Sequence, residues 1–194
     1  EAHGNDLVAA VVALSPSFDR GKVDGSVDEN SGRSDYVIWL SGTEVFAPTA
    51  LTDVLKCIDS IVLDQLAPLI SGVLRGATLV KPVKAMLSCY PGKGSHYRRH
   101  CDNVDGSNGR RVAAILYLNE GWQPWHGGCL RASATMDADA QFVDVEPVMG
   151  RLVLFLCDER VPHEVLPSHS TRYAVTVWYE EDIMSRLSAA AALS

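Results

Sequence analysis

The chain has 194 residues, of which 47% are hydrophobic, enough for one sizeable core; no compositional break divides it, so a single domain over 1–194 is expected. The net charge of −7 comes without a basic stripe to neutralise phosphates, which argues against nucleic-acid binding. No window reaches the roughly 18 uncharged apolar residues of a membrane span, and the start lacks the charged-then-apolar pattern of a signal peptide.

In chain order, Asp6 to Leu14 reads as a short apolar helix that Asn5 or Asp6 is placed to cap. Ser15 to Ser34 is rich in Gly, Ser and Asp without periodicity and reads as an exposed loop leading into an apolar strand, Tyr36 to Leu40. From Thr49 to about Ala67, Leu51, Val54, Leu55, Ile58, Ile61, Val62 and Leu66 keep the spacing of a helix with one buried face. After Gly76 the texture changes to short β-branched and aromatic runs broken by Pro and Gly. These are Lys84 to Tyr90, Tyr97 to Asp102, Arg111 to Leu118, Leu130 to Ala132, Gln141 to Val145, Arg151 to Cys157 and Tyr173 to Tyr179. Many short strands after helices predict a mainly β fold with supporting α-helices, a double-stranded β-helix (jelly-roll) core over about 81–180 behind helices and a loop over about 1–80. The Ala- and Ser-rich tail after Arg186 carries no motif.

Two of these segments carry chemistry. In an extended strand, residues two apart point the same way, so His100 and Asp102 can share one metal, and His163 can supply a third ligand. Two imidazoles and a carboxylate on one side of a metal leave the other side open, the arrangement of non-haem Fe(II) oxygenases. Nine positions after His163, Arg172 opens an alternating run in which Arg172, Thr176 and Trp178 share one strand face and Tyr173, Val175, Val177 and Tyr179 the other. A buried guanidinium fork calls for a carboxylate, to which the Thr176 hydroxyl can add a bond.

Trp39, Cys89 to Gly94, Tyr97 to Asn103, Arg110 to Asn119, Gly127 to Arg131, Ala140 to Phe142, Glu146-Pro147 and Pro162-His163-Glu164-Val165 through Trp178-Tyr179 together resemble the Fe(II)- and 2-oxoglutarate-dependent prolyl 4-hydroxylases. The similarity is greatest to the oxygen-sensing branch that modifies hypoxia-inducible factor, strong over the C-terminal half and weak over 1–80. The resemblance implies iron ligands His100, Asp102 and His163, and Arg172 as the partner of the distal 2-oxoglutarate carboxylate. Tyr90, Tyr117, Leu130 and Thr176 would line the rest of that pocket. It further implies Fe(II), 2-oxoglutarate, dioxygen and ascorbate as requirements, and a protein substrate bearing a target proline. Two such substrates fit: a hypoxia-inducible-factor-like transcription factor, or the small adaptor of SCF-type ubiquitin ligases modified by related cytosolic enzymes of protists. The segment Leu40 to Pro48 is shorter than the finger loop of the animal enzymes, which leans toward the adaptor.

Other residues carry two readings. Arg98-Arg99 and Arg110-Arg111 read as solvated charge at strand ends or as recognition of an acidic peptide. Arg33 and Asp35 read as an exposed ion pair, while the resemblance puts them at the root of a substrate-covering loop; a contact of Asp35 with Arg110 is expected beyond what the resemblance implies. Trp178 reads as a core aromatic or a substrate contact. Tyr90-Pro91-Gly92-Lys93-Gly94 reads as a turn, and His96, His126 and His169 as loop residues outside the metal set. Five cysteines with no C-x-x-C pair fit reduced thiols of the cytosol or nucleus, and Cys101 points away from the metal by strand alternation. A monomer is expected. The rival functions are a non-catalytic 2-oxoglutarate-binding module and a cupin-like metal lyase or isomerase.

Overall fold

A computed structural model describes residues 2–14, 17–22, 32–41, 49–82, 84–182 and 184. Much of the loop expected at Ser15 to Ser34, most of Leu40 to Pro48 and the tail after Arg186 lie outside these residues. The strands are β1 (Asp19–Arg20), β2 (Tyr36–Ser41), β3 (Leu79–Val80), β4 (Lys84–Pro91), β5 (Ser95–His100), β6 (Arg110–Tyr117), β7 (Leu130–Ser133), β8 (Phe142–Val145), β9 (Leu152–Leu156), β10 (His163–Ser168) and β11 (Thr171–Glu181). They form two antiparallel sheets. The larger runs β1-β2-β4-β11-β6-β9 with β3 also on β11, and the smaller runs β5-β10-β7-β8. This is the jelly-roll core expected from the strand texture.

Alternation along β11 decides what each face of the larger sheet does. Val175, Val177 and Tyr179 are buried with Leu87 of β4 and with Val112 and Ala114 of β6. The same cluster takes in Leu7, Val11, Leu51, Ile58 and Val62 from the helices α1 (Ala2–Ala13) and α2 (Thr49–Asp59) and from a π-helical continuation, Ser60–Leu66. One sheet face is thus sealed by helices. Met86, Ala113, Ile115, Tyr117, Ala174 and Trp178 are buried on the opposite side, where the smaller sheet closes over them. No helix among the described residues is long and apolar enough to cross a membrane.

Several elements depart from expectation. The first helix starts at Ala2, so Asn5 and Asp6 are inside it rather than at its cap. The helix from Thr49 changes to π geometry at Ser60, with the Ala67 N–H donating to Val62 O, before a short α3, Ala67–Leu69. β10 is not apparent from the sequence because Pro162 precedes it, Pro167 lies within it and the run includes His and Glu. β1 and β3 are two residues each, too short to show a period. His96 lies on β5 and His126 in a 3-10 turn, Pro124–His126, rather than in irregular loops.

Candidate active site

His100 ends β5 and His163 begins β10, and the antiparallel register pairs these two residues directly. Asp102 lies two residues beyond the end of β5, not within it as the alternation argument supposed, so the chain bend rather than the pleat aims its carboxylate. One ligand atom from each of His100, Asp102 and His163 falls within 4.8 Å of the others. Asp102 Oδ1 is 3.7 Å from His100 Nε2, and its Oδ2 is 3.8 Å from His163 Nε2.

The surroundings set each group in its ligating form. His100 Nδ1 is 2.9 Å from Arg98 O and His163 Nδ1 is 3.1 Å from Val161 O. A proton assigned to each Nδ1 satisfies those carbonyls and leaves both Nε2 lone pairs toward the centre. Burial pushes the His163 imidazole down to about 4. Burial works to raise the Asp102 carboxyl, but its pairing with His100 and His163 whenever these are protonated, together with the Trp178 N–H, outweighs burial and holds the group at about 2. A carboxylate and neutral imidazoles are the donor set that a divalent first-row metal takes. The Tyr97 ring stacks on His100 at 3.8 Å, and Phe155 packs on His163 at 4.5 Å.

Trp178 adds a constraint that the sequence did not reveal: its Nε1–H donates to Asp102 Oδ2 at 2.9 Å. Both sequence readings of Trp178 therefore omit a role, that of fixing a ligand oxygen. Trp178→Phe keeps the bulk and removes the bond. Supports of this kind are worth about 10- to 100-fold in metal affinity, and calorimetric titration with Mn(II) is expected to show a loss in that range. Unchanged affinity would mean that the bond holds nothing.

A cavity of about 280 Å³ opens beside this centre. It is lined by His100, Asp102, His163, Tyr90, Leu130, Arg172 and Thr176, together with Trp39, Arg110 and Trp178. Arg172 is 3% exposed; its Nε donates to Gly128 O at 2.8 Å, and its guanidinium carbon is 4.9 Å from the ring centres of both Tyr90 and Tyr117. Among the described residues no carboxylate pairs with it. Tyr117 backs the guanidinium and is not among the cavity-lining residues. Its buried hydroxyl has no hydrogen-bond partner, and burial pushes it, like that of Tyr90, above the ordinary range. A buried cation that no carboxylate answers suits a carboxylate ligand.

The mouth is aromatic and basic. The rings of Trp39 and Trp178 are 5.6 Å apart, and the Arg110 guanidinium lies 4.2 Å above Trp178. Asp35 does not take part. Its carboxylate is fully buried and held by Arg33 at 2.6 and 2.9 Å. The expected Asp35 to Arg110 contact is therefore absent, and the pair is a buried structural one rather than an exposed one. Arg33 also lies 4.8 Å from the Tyr97 ring, so it buttresses the residue that stacks on His100. Of the other basic residues, Arg99 pairs with Glu164 and Arg111 with Glu181.

A family model described as the 2OG-Fe(II) oxygenase superfamily matches residues 85–180, a span that includes His100, Asp102, His163 and Arg172 but not Trp39. Human prolyl hydroxylase EGLN3 is 43% identical over 149 residues, covering 76% of this chain and 58% of its own length. The chain thus spans little more than half of that relative. Among solved structures, a Trichoplax adhaerens prolyl hydroxylase in complex with a hypoxia inducible factor oxygen degradation domain peptide superposes with a TM-score of 0.81 at 32% identity, over 97% of this chain and 82% of that one. A Pseudomonas putida prolyl-4-hydroxylase gives 0.72 at 32% identity, over 93% and 87%.

Proposed function

This chain belongs to the 2OG-Fe(II) oxygenase superfamily, among its prolyl hydroxylases, and from that premise we propose that it 4-hydroxylates a prolyl residue of a protein substrate, in oxygen sensing, as one domain within the cytosol or nucleus. The observation that carries the reading is the presence, in one cavity, of the His100, Asp102, His163 cluster and of Arg172 without a carboxylate. Fe(II) held there would couple the oxidation of 2-oxoglutarate by dioxygen, to succinate and carbon dioxide, with hydroxylation of a C–H bond, one oxygen atom of O2 going to succinate and the other to the new hydroxyl. The chain's own residues position and exclude. His100, Asp102 and His163 present three ligands and leave the cavity side open. Arg172, backed by Tyr90 and Tyr117, anchors the far carboxylate, with Thr176 beside it. Leu130 and Ile115 keep the floor dry, and Trp39 with Trp178 orients the ring of the target proline.

A cupin-like lyase or isomerase needs no dicarboxylate anchor and would leave Arg172 without a purpose. A non-catalytic module would bind 2-oxoglutarate and form no succinate. The relative solved with a hypoxia inducible factor peptide supports a peptide of that kind as substrate, and the SCF adaptor remains the second to test.

The test is anaerobic Fe(II) loading, then succinate measurement in air with 2-oxoglutarate, ascorbate and proline peptides from both substrates. Peptide-stimulated succinate with one oxygen added to the proline is expected; no succinate under any condition overturns the proposal. A second expectation concerns Gly128. Its φ is +72°, and a Cβ there would lie 2.9 Å from Arg172 Cδ and 2.8 Å from Ser168 Oγ. Gly128→Ala should cost about 1–2 kcal/mol of stability through the left-handed backbone alone and, by displacing Arg172, raise the KM for 2-oxoglutarate more than that for peptide. Equal shifts in the two constants would detach Gly128 from the anchor.

A further inference from the structure

A second concavity, of about 460 Å³, shares Trp39, Arg110 and Trp178 with the reaction cavity and continues past them to Lys81, Lys84 and Glu180. Its charge opposes that of the molecule: three cations face one anion, on a chain whose net charge is −7. The cations are available. Lys84 and Arg110 pair with no carboxylate among the described residues, and Lys81, itself exposed, makes one contact, 3.3 Å to Asp59. Trp39 is 43% exposed, an apolar surface on the ridge between the two cavities.

We infer that this groove binds the stretch of substrate polypeptide flanking the target proline, and that it selects acidic residues there through Lys81, Lys84 and Arg110. The inference rests on the proposed prolyl hydroxylase reading and extends it to a substrate class. A chain whose proline enters the reaction cavity past Trp39 and Trp178 must leave over their outer edges, where the groove begins. Polypeptide carrying Asp or Glu complements its three cations, whereas Glu180 adds repulsion only at the rim. Nucleic acid fits poorly, because beyond this groove the net negative charge of the chain repels phosphates.

The test is a set of peptides with one central proline and flanks that differ only in charge, with Glu, Gln or Lys scanned outward on each side. Hydroxylation is read as mass gain on proline and as kcat/KM. On the wild-type protein, Glu on one flank is expected to raise kcat/KM about fivefold over Gln, chiefly through KM, and the gain should shrink as salt rises. In Lys84→Glu the Glu/Gln ratio should fall to about one or below. Because Lys84 begins β4, Lys81→Gln, outside the strands, serves as the second variant and should halve the ratio or better. Hydroxylation indifferent to flank charge in wild type, or a ratio unmoved in both variants, overturns the groove alone. If no peptide is hydroxylated by the wild-type protein, the hydroxylase reading falls and the groove with it.

Discussion

Arg172→Ala is expected to raise the KM for 2-oxoglutarate by about 30-fold or more while leaving the protein without ligands no less heat-stable than the wild type. The first half follows from the cost of removing one partner of a buried charge pair, about 2–5 kcal/mol. The second follows from the state of the guanidinium before co-substrate arrives. It is 3% exposed, fixed by a bond from Nε to Gly128 O and flanked by Tyr90 and Tyr117, with no carboxylate beside it among the described residues. Such a cation is destabilising until an anion binds, and its removal relieves that cost at the expense of a cavity. Thermal unfolding with Mn(II) under anaerobic conditions separates the two. Wild type should gain stability on adding 2-oxoglutarate, as any ligand of the native state confers, whereas the variant should gain little. Arg172→Lys should fall between, since a lysine keeps the charge but loses the fork and the Nε bond. A variant that responds to 2-oxoglutarate as wild type does would remove Arg172 from the anchor.

How much of this site was legible in the sequence depends on whether a feature is local. The alternation of β11 is local, so the division of Arg172, Thr176 and Trp178 from Val175, Val177 and Tyr179 was readable, and with it the wall of the cavity and the sealed face. The pairing of His100 with His163 is not local: the two could be grouped as ligands, but the register of β5 on β10 that sets them side by side spans the chain between them. His100, Asp102 and His163 lie together as expected, but not through the pleat: the strand stops at His100 and the bend delivers the Asp102 carboxylate. Asp35 failed for a reason of packing: two residues apart in sequence, Arg33 and Asp35 read as a surface pair, and only the tertiary fold shows the carboxylate fully buried. The Trp178 bond to Asp102 crosses 76 residues, and no pattern within a segment announces it. The π turn of Ser60–Leu66 likewise keeps an apolar stripe that reads as an ordinary helix.

Asp102→Asn should abolish turnover while keeping the side-chain geometry of the site. Asparagine is close in shape, and it can still accept the Trp178 N–H through its amide oxygen, so the geometry at 2.9 Å survives. What it lacks is charge, the only negative charge in the cluster of two imidazoles and one carboxylate. Loss of that charge should weaken Mn(II) affinity by about 100-fold, at the upper end of what even an outer support confers, and a direct ligand should cost no less. Asp102 and Arg172 are thus a matched pair of opposed buried charges lining one cavity, each completed by something the chain does not contain. A divalent cation adds the charge that answers the first and a dicarboxylate the charge that answers the second, so in a low-dielectric cavity each should tighten the other. Titrating 2-oxoglutarate with and without Mn(II) should show that coupling in wild type and lose it in Asp102→Asn. Coupling of equal size in both would mean that the metal is held by groups other than this carboxylate.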